Sequence, residues 1–196
     1  MLKKIRRFFR LRQAGFTMIE VLMALAIGGV AMTAIYSVFI SSNRSYHTQD
    51  SVADAQQRVR VGVDFIVSDL RMAGFDPLGT ALAGIEVASN TKVRVTADID
   101  MDGTIDNANR ERVTYEFANN SLRQCLYEGT ASESWQTLIE DVNPTSRFSY
   151  LDANGATTTT DIRVVAITMR ALAADAQGHS FSRELATRVN CRNLSM

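Results

Sequence analysis

The feature that most constrains this chain is a run of 25 residues, Phe16 to Ile40 (FTMIEVLMALAIGGVAMTAIYSVFI), in which Glu20 is the only charge. As a helix it would be about 37 Å long, more than the ~30 Å hydrocarbon core of a bilayer. It can span a membrane with some tilt, which rules out a soluble cytosolic protein. Charge fixes the direction. The chain as a whole carries 21 bases and 21 acids, but residues 1–15 hold Lys3, Lys4, Arg6, Arg7, Arg10 and Arg12 and no acid. Bases before the apolar run and none just after it predict an N-terminus in the cytoplasm and a body outside the inner membrane, in an oxidising compartment. The remaining chain is acidic, which argues against a general nucleic-acid binder.

A secretory signal peptide is one reading of such an N-terminus, but its apolar region is only 7–15 residues long and ends in a small-residue cleavage site. A plain anchor explains the length yet gains nothing from Glu20, because a carboxylate in lipid is costly without a partner. A basic leader ending in Gly15, followed by Phe16, Thr17, Met18, Ile19 and Glu20 at the head of an apolar helix, resembles the type IV prepilin signal. The resemblance implies that a prepilin peptidase cuts between Gly15 and Phe16 and N-methylates Phe16. It also implies that Glu20 neutralises the terminal ammonium of a neighbouring subunit and so sets the register of assembly; the alternative is a snorkelling or protonated anchor residue. Gly28 and Gly29, with Ala24, Ala26 and Ala31, either let helices approach closely or are merely tolerated in a membrane.

Beyond residue 40 the polarity rises without a Pro, and Val52, Ala55, Val59, Val63, Ile66 and Leu70 recur at helical spacing. A single helix from Thr17 to Met72 is predicted, its transmembrane half over 16–40 and its amphipathic half over 41–73. Ala73-Gly74-Phe75-Asp76-Pro77 then stops it. Over 74–196 the pattern turns to short alternating runs: Lys92 to Ala97, Arg112 to Phe117, Leu122 to Tyr127, Arg147 to Tyr150, Ile162 to Met169 and Phe181 to Val189. These predict an antiparallel sheet packed over the helix, an α+β architecture that is also the type IV pilin fold. RMAGFDP at the helix end, LIEDV at Leu138 to Val142, Tyr150-Leu151-Asp152, Asp161-Ile162-Arg163 and RVNCRN near the C-terminus resemble the PilW-type minor pilins, to which the J-type minor pseudopilins of type II secretion are related. The resemblance implies a non-catalytic protein that joins other minor pilins and the major pilin to prime a filament and ends on the cell surface, or, alternatively, a pseudopilin of a secretion machine. A tip adhesin or DNA-uptake receptor and a membrane-anchored periplasmic enzyme are the readings from other classes.

Cys125 and Cys191 both fall in the exported part, where a disulfide is the natural expectation, worth roughly 4 kcal/mol in the chain-entropy model; two free thiols are the alternative. Asp98, Asp100, Asp102, Gly103 and Asp106 match positions 1, 3, 5, 6 and 9 of a calcium loop. Thr104 would offer its carbonyl at the seventh, and Asn109 holds the twelfth, where a bidentate Glu is usual. Glu111 is the substitute within reach. One structural Ca2+ is the expectation, and a polar hairpin of solvated acids the alternative. Chemistry has little else to work with. His47 and His179 stand alone, His179 beside Ser180 makes no triad by adjacency, and Trp135 and the tyrosines read as packing. Arg183, Arg188 and Arg192 could form a local basic edge, but no nucleic acid and no small-molecule substrate are expected.

Overall fold

The computed structural model describes residues 15–175 and 178–195. One long helix, α1 (Met18–Met72), is followed by eight strands: β1 (Ile85–Ala88), β2 (Lys92–Thr96), β3 (Arg112–Ala118), β4 (Ser121–Leu126), β5 (Ser134–Ile139), β6 (Arg147–Leu151), β7 (Val164–Ala174) and β8 (Ser180–Asn190). The chain divides into two units between Ser45 and Tyr46, inside α1.

In the first unit every side chain from Phe16 to Phe39 is exposed, including Leu25, Ile27, Met32 and Phe39 at about two-thirds or more of their surface. A bare apolar helix of this length is long enough to cross a membrane, and lipid is the medium in which such exposure costs nothing.

In the second unit the remainder of α1 buries Ala55, Val59, Gly62, Val63, Ile66 and Leu70. These sit one or two turns apart and form the stripe that the sequence predicts, with Val52 half-buried at its start. Gly62 marks the closest approach to the sheets: a Cβ there would come within 2.9 Å of Met169 Cε and 3.1 Å of Ile139 Cγ1. The helix ends where expected. Gly74 adopts φ 80°, and a Cβ on it would lie 2.7 Å from Leu194, so glycine serves both the left-handed turn and the packing.

The single sheet expected from the pattern is in fact two. A five-stranded antiparallel meander runs β1-β2-β3-β4-β5, and a separate three-stranded sheet runs β6-β7-β8. Phe148 and Phe117 stack across the junction with centroids 4.8 Å apart, and the Tyr150 hydroxyl donates to the carbonyls of Ser89 and Lys92 at 2.9 and 3.0 Å. Both sheets thereby close over one core that α1 lines. Tyr115 fastens the helix to the first sheet: its hydroxyl donates to Asp69 Oδ2 at 2.8 Å and accepts from Gln124 Nε2 at 2.9 Å. Burial and the neighbouring Asp69 carboxylate push its phenol pKa upward.

Candidate functional site

The sequence places Thr17 and Glu20 three apart, and the structure turns that spacing into a reciprocal cap. Thr17 donates both its backbone N–H and its hydroxyl to Glu20 Oε2, each at 2.8 Å, and the Glu20 amide donates back to Thr17 Oγ1 at 3.3 Å. Two helix-start donors are satisfied, with a negative charge at the positive end of the helix dipole. The sequence reading did not identify this partner, although Thr-x-x-Glu is the signature of such a cap. Gly15 and Phe16 lie just before the helix, both exposed. Lys3 to Arg12 of the leader lie outside the described residues.

The acidic segment folds as a tight loop between β2 and β3. Asp98 is fully buried and accepts the amides of Asp102 and Gly103 at 3.2 and 3.0 Å. Glu111, equally buried, accepts those of Ile99 at 2.9 Å and Asp106 at 2.9 Å. Asp100, Asp102 and Asp106 stay exposed, so the loop combines two buried carboxylates with three solvated ones. Oxygens of Asp98, Asp100 and Glu111 lie within 4.8 Å of one another, as do those of Asp100, Asp102 and Asp106. Thr104 donates its hydroxyl to Asp102 at 2.8 Å, and Asn109 turns its amide nitrogen to Asp100 at 3.0 Å. This is a carboxylate-rich oxygen set of the kind that calcium accepts, with Glu111 among the clustered carboxylates.

The expected disulfide is not formed: Cys125 and Cys191 are separate, buried, free thiols. Register gives the reason. Tyr115 and Gln124, opposite each other, face α1, so their neighbours Thr114 and Cys125 face the other way. Cys191 belongs to the core on the helix side, and a sheet separates the two sulfurs. Burial pushes the Cys191 thiol up to about 11 and the Cys125 thiol upward as well.

The face that carries Cys125 holds an ionic network. Burial works to raise the Glu128 carboxyl, but hydrogen bonds from Lys92, from Arg94 at 2.6 Å and from Thr114 at 2.8 Å win and hold it at about 2. Arg94 and Arg112 also meet Glu86 at 3.5 and 3.2 Å. Trp135 lies beneath Arg123, 4.6 Å from its ring centre.

The remaining singled-out residues are not brought together. His47 is exposed on α1, and His179 Nδ1 meets Asp175 at 2.9 Å. Arg183 and Arg188 are five positions apart on β8 and so face opposite ways, with Arg192 beyond the strand; they make no common basic edge.

Residues 10–36 match the prokaryotic N-terminal methylation motif, and residues 48–191 match prepilin peptidase-dependent protein B. The chain belongs to the prepilin peptidase-dependent protein B family. No curated protein matches it. Among solved structures it is similar to a type IV-like pilin from Thermus thermophilus, at 14% identity and a TM-score of 0.51, covering 72% of this chain and 98% of that one. It also aligns with the GspK-GspI-GspJ complex of the enterotoxigenic Escherichia coli type 2 secretion system, at 17% identity and a TM-score of 0.35, covering 67% of this chain and 96% of that one. This member of the family thus has a type IV pilin-like fold, an apolar N-terminal helix that anchors it in a membrane, and the pilin or pseudopilin character that its motif carries.

Proposed function

We propose that this protein is a minor pilin of the PilW type, a structural and non-catalytic subunit that helps to prime a type IV pilus. Prepilin peptidase would cut between Gly15 and Phe16 on the cytoplasmic side and methylate Phe16. The body would stand in the periplasm until the subunit, with other minor pilins and the major pilin, enters a filament at the cell surface. The observation that carries this reading is the methylation motif at the head of an apolar helical segment that is exposed from Phe16 to Phe39. Glu20 is central to it. Its carboxylate is held by Thr17 of its own chain, a bond that a neighbouring terminal ammonium would replace with a stronger charged one. We further propose that Asp98, Asp100 and Glu111, with Asp102, Thr104 and Asp106, take one structural calcium ion that stiffens the loop.

Intact mass of the protein from its native membrane, with and without a functional prepilin peptidase, tests the reading. A chain beginning at methylated Phe16 only when the peptidase is present supports it. An unprocessed chain in both strains overturns it. Deleting the protein should remove surface pili; retained pili with blocked protein secretion would assign it to a type II secretion machine instead.

A further inference from the structure

The three-stranded sheet ends in an unusual edge. β8 pairs with β7 over all 11 of its residues without a shift in register, and it is the outermost strand of its sheet. Among the described residues no backbone group continues the ladder on its far side. Sheet edges in monomeric proteins are normally kept short or carry charged side chains, Pro or a bulge; β8 is long, has no Pro and no bulge, and carries charge only at Arg183, Glu184 and Arg188.

Beside this edge, between β8 and α1, lies a groove of about 350 Å³. Val59, Ala53 and Leu185 give it an apolar floor, and Arg60, Arg183, Gln56, Gln57 and Glu184 rim it, the Glu184 carboxylate being already paired with Arg170. Register explains why Arg183 and Leu185 look into it: they share the β8 face that ends in buried Val189. Arg60 and Arg183 are both exposed, and among the described residues neither has an acidic partner within ion-pair distance. The Arg183 guanidinium rests instead over the Phe181 ring, 5.9 Å from its centre.

We propose that β8 is a docking edge that accepts an extended strand from a partner protein, with alternate apolar and acidic side chains of that strand entering the α1–β8 groove. An open row of peptide groups can be matched only by another extended backbone, and a groove beside the strand reads every second side chain of the guest. The two guanidiniums set the sign of the guest's charge. The inference concerns the body alone and holds whichever machine the protein serves.

The test uses the full chain in detergent and a labelled 11-residue peptide, the length of β8. The peptide has Thr at every second position and Val and Asp taking turns at the others. Saturable binding is expected. N-methylation of alternate peptide amides should weaken it about tenfold or more, and so should Arg183→Glu, whereas Arg188→Glu on the opposite face should leave it within about twofold. Thermal midpoints establish that each variant is folded, and Arg60→Glu serves if Arg183→Glu is not. Absence of binding, equal binding of the N-methylated peptide, or indifference to the groove arginine overturns the proposal. Tighter binding of a peptide with the β8 sequence itself also overturns it, since the occupant would then be a second copy of the chain.

Discussion

The two halves of α1 share one backbone geometry and obey opposite rules. Over Phe16 to Phe39 every side chain is exposed, and Gly28 and Gly29 have nothing within 4 Å of a hypothetical Cβ. From Ala55 to Leu70 one face is buried to 3% exposure or less, and Gly62 leaves no room for a methyl group. What differs is where the side chains find their apolar surroundings: a membrane for the first half, the protein's own sheets for the second. Substitutions should therefore separate cleanly into those that damage assembly and those that damage the body.

The largest effect expected is from Glu20→Ala, which should reduce incorporation into filaments, and recovery with other pilins, by about tenfold or more, while the thermal midpoint of the body stays unchanged. If the body melts earlier, the division between the halves fails. Next comes Gly62→Leu, which forces a large side chain against Met169 and Ile139. It should destabilise the body by about 3 kcal/mol in urea unfolding, whereas Gly28→Leu should leave that unfolding curve unmoved.

The pH response should come from the body as well. The Glu128 carboxyl titrates at about 2 when folded against 4.5 ordinarily. Its stabilising contribution is complete above about pH 4.5 and disappears as pH falls toward 2. That contribution is about 2 kcal/mol, after allowance for partial exposure. Urea midpoints measured from pH 6 to pH 2 should fall through that window, and Glu128→Gln should flatten the decline. The smallest effect is from calcium. Addition of 1 mM ion should raise the body's midpoint by a few degrees, about 1.4 kcal/mol for a site of Kd near 0.1 mM. The increment should vanish in Asp100→Asn, and an unchanged midpoint in the native chain would remove the calcium proposal.

Much of this was legible in the sequence. The helix runs to Met72 as its periodicity predicts and starts one residue later than Thr17, because 25 apolar residues followed by a 3-4-4-3-4 stripe admit no other regular structure. The strands with alternating apolar residues, β2, β3, β4 and β6, lie where expected within one or two residues, and β7 and β8 lie in their predicted runs but extend further. β1 and β5 were not legible. Each is an edge strand, and β5 (SWQTLI) has a largely solvated burial pattern in place of apolar alternation. The division into two sheets rests on long-range contacts such as Phe117 on Phe148, which no local pattern encodes. In the acidic loop the residue types were readable; the burial of Asp98 and Glu111 was not. The cysteine pairing failed for a further reason. Compartment and count say that a bond is permitted, but only register says which face of a sheet each sulfur occupies.

The contact at Gly62 bears on the chain's history as well as its packing. Met169 is fully buried there, with its thioether sulfur 3.0 Å from where a Cβ on that glycine would be. Oxidation to the sulfoxide adds a polar oxygen to that sulfur, which a fully buried position accommodates at a cost. A body that folds first shields Met169 from oxidants outside the membrane, while exposed methionines such as Met101 take the damage. A chain oxidised at Met169 before it folds should close its helix onto its sheet less stably.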